Sequence, residues 1–216
     1  MPRAATSARF KLLAAIAGVA LMAPLSSASA HFRLLSPATT LAQNALGDPQ
    51  KLAPCGGTSA NPGEPTGAVT ELTGGGVLQL KIQETVFHPS HYRVALAVNG
   101  PAELPADPET TTRETPEGPY SVSAKIEADP KPPLLADGLF PHTEKLPQGQ
   151  ILEAELKVPN IDCEDCTLQV IQWMGEHSYN PDGAYSYHHC ATLRIKSDPR
   201  LPLDTRWPKA KRARKG

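Results

Sequence analysis

Short apolar runs that alternate with polar residues recur along this chain, and none keeps the three-and-four spacing of an amphipathic helix. In Val77 to Val86, the residues Leu78, Leu80 and Ile82 interleave with Gln79, Lys81 and Gln83, the two-residue period of a strand with one buried face. Comparable β-branched and apolar runs cover Tyr92 to Val98, Tyr120 to Ile126, Ile151 to Val158, Cys166 to Met174 and Cys190 to Ile195. The 23 prolines and 16 glycines of the 216-residue chain are spread without a period, which argues against long helices and supplies turns between the runs. The pattern predicts an all-β, immunoglobulin-like (fibronectin-like) antiparallel sandwich. Its long loops fall at Ser36 to Thr70 and Gly100 to Pro119, and a shorter one, Gly175 to Ser186, joins the last two strong strands.

The first thirty residues follow a different rule. Arg3, Arg9 and Lys11 precede an apolar run from Leu12 to Met22, and Ala28-Ser29-Ala30 ends the segment. That is the layout of a secretory leader cut after Ala30, and its apolar run is shorter than the roughly 20 residues a permanent span needs. The expected organisation is therefore a leader at 1–30, one sandwich domain at 31–197, and a Pro-containing, basic, flexible tail at 198–216. The domain is expected to be secreted or periplasmic, monomeric, and not an integral membrane protein once the leader is removed.

Charge narrows the partners. Without Arg3, Arg9 and Lys11 the chain keeps 18 of its 21 basic residues against 22 acidic ones. Five of those 18, Lys209, Lys211, Arg212, Arg214 and Lys215, lie in the last eight positions. An acidic body with a short basic end is not a nucleic-acid surface, which needs basic residues grouped on the fold. No G-x-S-x-G elbow, phosphate loop or dinucleotide fingerprint occurs. Four cysteines in an exported chain imply two disulfides. Three pairings are possible, with Cys55–Cys190 and Cys163–Cys166 favoured.

Cleavage after Ala30 would make His31 the first residue. An N-terminal histidine offers its α-amine and its ring to a single ion, and both lose a proton readily near neutrality. Nitrogen ligation in a plane favours Cu(II) among first-row metals. A second imidazole would complete the set. His88 and His91, in Phe87-His88-Pro89-Ser90-His91-Tyr92, lie at a strand start where loops gather; His88 is the first choice and His91 the alternative.

The same residues carry a family resemblance. His31-Phe32-Arg33-Leu34-Leu35-Ser36-Pro37, Ala53-Pro54-Cys55-Gly56-Gly57, His88 four residues ahead of Tyr92, and Cys163-x-x-Cys166-x-Leu168-Gln169 followed by Gly183-Ala184-x-x-Tyr187-x-x-Cys190-Ala191 occur in that order. Together they resemble the lytic polysaccharide monooxygenases and their copper-binding relatives. The resemblance implies one copper ion held by His31 and His88, with Tyr187 at its axial face and Cys190 tying the last strand to an N-terminal loop. It implies oxidative cleavage of glycosidic bonds in a soluble or insoluble polysaccharide, with electrons from an external donor and oxygen or hydrogen peroxide as co-substrate. The alternative is a non-catalytic extracytoplasmic copper carrier with the same ligands.

Two departures bear on that choice. Where fungal cellulose-active members carry a glutamine two residues before the axial tyrosine, this chain has Tyr185, so a hydrogen-bonding group near the metal would have to come from Tyr185, Gln172, Glu176 or His177. Aromatic residues make up only 5% of the chain, which leaves Tyr179, Tyr185, Trp173 and Phe32 as candidates for stacking on sugar, with Trp173 expected in the core.

Overall fold

The computed structural model describes residue 1, residues 30–178 and residues 185–211. Residues 2–29 of the expected leader, Tyr179, Gly183, Ala184 and residues 212–216 of the tail lie outside it. Among the described residues no helix is long and apolar enough to cross a membrane.

The chain is an all-β sandwich. Strands β1 (His31–Ser36), β3 (Val77–Val86) and β8 (Leu152–Lys157) form one sheet in the order β1-β3-β8. The facing sheet has the order β2-β11-β9-β4-β7, from Val69–Thr73, Ser186–Lys196, Cys163–Met174, Ser90–Ala97 and Leu134–His142. Pairing is antiparallel except where β2 runs parallel to β11 at the edge. Alternation decides which side chains meet between the sheets: Leu78, Leu80 and Ile82 of β3, Tyr92, Val94 and Leu96 of β4, Leu168 and Val170 of β9, and Tyr187, Ala191, Leu193 and Ile195 of β11 are buried there. Each such aliphatic side chain contributes about 1.5–3 kcal/mol by leaving water.

A third sheet was not expected. β5 (Thr110–Thr115), β6 (Gly118–Ala124) and the two-residue β10 (His177–Ser178) pair in the order β10-β6-β5. Ala124 packs with Trp173 and Tyr185 on the outer side of the five-stranded sheet. This cover is why every residue of β4 is buried although its side chains point alternately to two faces.

The segment expected to leave the fold at residue 198 instead stays against it. Asn160 Nδ2 donates to the carbonyls of Asp198 (3.2 Å), Leu201 (3.0 Å) and Pro202 (3.1 Å), and Trp207, 7% exposed, belongs to the main core. An indole supplies enough apolar area to hold a proline-rich strap that forms no strand of its own. Trp207→Ala is expected to cost about 3 kcal/mol of stability, read as a lowered denaturant midpoint, while Leu203→Ala, at an exposed position, leaves the midpoint within about 0.5 kcal/mol. Equal midpoints for both would mean the segment is a loose tail.

Candidate metal centre

One end of the sandwich gathers the candidate residues. β1 begins with His31 opposite Val86, the last residue of β3, and the chain continues two residues beyond Val86 to His88. β9 ends at Met174 opposite Ser90. Gly175 N–H donates to the Pro89 carbonyl (2.7 Å), and Ala30 N–H points at Met174 Sδ (3.4 Å). Met174 and Gly175 thus link the start of β1 to the His88 turn.

Loop 48–57 closes this end from the other side. Asp48 Oδ1 lies 3.2 Å from His31 Nε2. Gln50, fully buried, accepts the Phe32 N–H on its side-chain oxygen (3.3 Å) and the His188 N–H on its carbonyl (2.8 Å). Lys51 Nζ bonds the Tyr187 hydroxyl and stands 4.2 Å from the centre of that ring. Cys55 is disulfide-bonded to Cys190, and Cys163 to Cys166, the expected pairing. The approach is close enough to demand glycine: a Cβ on Gly47 (φ 101°) would lie 1.9 Å from the Phe32 carbonyl oxygen, and one on Gly56 (φ 94°) would lie 2.7 Å from that of Pro49.

The polar neighbours of the two rings differ. A carboxylate only accepts, so the Asp48 oxygen 3.2 Å away favours a proton on His31 Nε2. His88 is the reverse. Its Nδ1 faces the Pro89 carbonyl at 3.3 Å, which leaves the lone pair on Nε2. Burial holds the His88 ring below the usual histidine range; the Pro89 bond opposes that shift, while the neighbouring His177 adds to it. His88 is therefore neutral at pH 7, as a metal ligand must be. Tyr187, fully buried, sets its ring centre 5.0 Å from that of His31.

The other candidates separate by strand face. Gln172 pairs with Tyr187 across β9 and β11 and points between the sheets, where its Nε2 donates to Glu84 Oε1 (3.0 Å) and Ser90 Oγ (3.2 Å). His142 Nε2 meets the same Glu84 oxygen at 3.1 Å, and that bond raises the His142 pKa. His91 points to the outer face beside Trp173, opposite to Tyr92, and neither ring nitrogen has a hydrogen-bond partner. Tyr185 lies outside the two main layers, packed on Trp173 at 5.3 Å. Glu176 is drawn to the third sheet by Arg113 (2.7 Å). His177 stacks on His88, ring centres 5.7 Å apart. Phe32 and Trp173 are buried, so neither can stack on a sugar.

Asp48, Lys51, Met174 and Glu84 were not singled out from the sequence. Asp48 and Lys51 could have been sought in the residues just before Pro54-Cys55-Gly56-Gly57, since a disulfide to the strand carrying Tyr187 brings that loop to the same place. Among the described residues no three side chains of His, Cys, Asp or Glu cluster as a metal cage. A donor set of two imidazoles and an amine would not count as such a cage. Compared with known proteins, the chain matches no family model and no curated protein.

His189, in the core edge-on to Phe32, has its pKa lowered to about 4 by burial, against the opposing bond to the Phe32 carbonyl. The unfolded chain, with histidine near 6.5, binds the proton more readily, so this stability is full above about pH 6.5 and is lost as pH falls toward 4. Metal-free protein is expected to lose about 3 kcal/mol over that window, measured by urea unfolding at successive pH values. A His189→Gln variant should flatten the profile; an unchanged slope would remove His189 as its cause.

Proposed function

We propose that this is an exported copper protein in which His31, freed as the N-terminal residue, and His88 hold one copper ion for oxidative attack on polysaccharide. The observation that carries the reading is that the two rings stand at one end of the sandwich with different nitrogens turned to the protein, His31 Nε2 3.2 Å from the Asp48 carboxylate and His88 Nδ1 3.3 Å from the Pro89 carbonyl. The ring of His31 and its freed α-amine would reach the same ion, closing a chelate within one residue. His88, a buried residue, turns Nδ1 toward the Pro89 carbonyl. A carboxylate behind a metal-binding histidine fixes its orientation and strengthens it as a donor. Removal of the leader through Ala30 would put the amine where a peptide nitrogen now follows the buried Ala30.

Copper at this set would supply one-electron redox chemistry for oxygen or peroxide, the overall change with peroxide being R–H + H2O2 → R–OH + H2O. The chain's own contribution is positional. Tyr187 and the loop carrying Lys51 wall one side of His31, which restricts approach from there. Gln172, opposite Tyr187 and bonded to Glu84 and Ser90, is the buried amide nearest in the strand pairing to the axial tyrosine that the resemblance implies.

A second reading, copper carriage without turnover, draws on one observation: no aromatic residue is among the exposed large hydrophobic residues described. The described aromatics that reach the surface, Phe87, Tyr120 and Phe140, are only partly exposed.

The test is protein whose first residue is His31, titrated with Cu(II), recorded by EPR, and then given reductant, peroxide and a panel of glycans. Tetragonal nitrogen-ligated copper is expected, and oxidised oligosaccharides support the enzyme. Copper binding without turnover selects carriage. Protein retaining Ala30 ahead of His31 should lose most of its affinity, and Asp48→Asn should weaken it about tenfold; equal binding by the Ala30-extended form would rule out the amine as a ligand.

A further inference from the structure

Lys51 is exposed along its stem, yet its ammonium turns inward onto a buried phenol. Its backbone is held on both sides. Lys51 N–H and Leu52 N–H both donate to the Gly57 carbonyl (3.1 and 3.0 Å), Gly57 N–H donates to Pro49 (3.1 Å), and Cys55 is bonded to Cys190, three residues along β11 from Tyr187. The lysine is thus held at Tyr187 by a loop fixed to the same strand as its partner.

We propose that Lys51 is a positioning residue that sets the redox balance of the copper centre through Tyr187. This rests on the copper reading above. An ammonium has three donors and no acceptor, so it donates to the phenol oxygen. That draws electron density from the phenol oxygen by occupying one of its two lone pairs, and makes Tyr187 a poorer donor to any cation on its His31 side. The unit positive charge acts in the same direction. It sits over a ring whose centre is 5.0 Å from that of His31, with protein rather than water between, where charges interact more strongly than in bulk solvent. Both effects disfavour Cu(II) more than Cu(I), so Lys51 raises the reduction potential. Asp48, on His31 Nε2, is a negative charge of opposite effect, but it is present whether or not Lys51 is.

Three substitutions separate this role from packing. Lys51→Met keeps the stem and removes the charge and the donors. Lys51→Arg keeps charge and donors. Lys157→Met removes an exposed lysine at the far end of β8, opposite Val77 rather than Val86. On copper-loaded protein beginning at His31, redox titration is expected to show Lys51→Met shifted toward Cu(II) by about tenfold in the Cu(II)/Cu(I) affinity ratio, which is about 59 mV lower for one electron. Its Cu(II) EPR parameters should change as well, and Lys51→Arg should restore both. Lys157→Met should match the parent. A Lys51→Met potential and spectrum equal to the parent's would overturn the role of Lys51 while leaving copper binding intact. Failure of the parent itself to bind copper would overturn both the reading and this inference.

Discussion

Loop 48–57 is the constraint on which the candidate site depends, and Gln50 is its centre. One buried glutamine accepts the Phe32 N–H with its side chain and the His188 N–H with its backbone, so it joins the start of β1 in one sheet to β11 in the other. No strand pairing makes that connection, because β1 and β11 belong to different sheets. The Cys55–Cys190 bond secures the same loop a few residues on. A crosslink spanning 135 residues removes much of the freedom of the unfolded chain. With the loop in place, Asp48 and Lys51 reach His31 and Tyr187 from a single short stretch of backbone.

The polar residues at this end of the sandwich divide into two sets with different surroundings. Asp48, Lys51, His31 and Tyr187 lie at the rim, where water reaches some of them. Glu84, Ser90, His142 and Gln172 meet between the sheets, drawn from four strands. A buried carboxylate is costly unless it is bonded, and Glu84 satisfies that need with both an imidazole and an amide. Gln172 belongs to this inner set by its bonds, and its backbone pairs with that of Tyr187 at the rim.

Much of the fold was legible because alternation is a direct consequence of strand geometry. β3 matches its expected bounds residue for residue, the run Cys166 to Met174 misses only the first three residues of its strand, and the other four runs overlap their strands with both ends displaced by one to four residues. β5 was hidden inside an expected loop: its Thr-rich, mostly exposed residues carry no apolar face, and it exists because β6 pairs with it. β7 contains Gly138 and Pro141 and changes register repeatedly along β4, which erases a two-residue period. Trp207 was read as tail because proline spacing dominates its neighbourhood, whereas its burial depends on where Asn160 stands.

The site was legible in a similar, uneven way. The orientation of His91 follows from the sequence once Tyr92, Val94 and Leu96 are taken as the inward series, since the preceding residue must then face out. Parity fails for Tyr185. It shares the phase of Tyr187, but β11 begins only at Ser186, and before that point the chain is free to turn the ring onto Trp173. Asp48 and Lys51 lie in a loop with no period at all, so only tertiary closure reveals them. What sequence could propose was the pair of histidines for a metal; what it could not identify were the groups that stand against each ring. Those neighbours are a carboxylate and a carbonyl, groups so common that their meaning comes only from the ring they face.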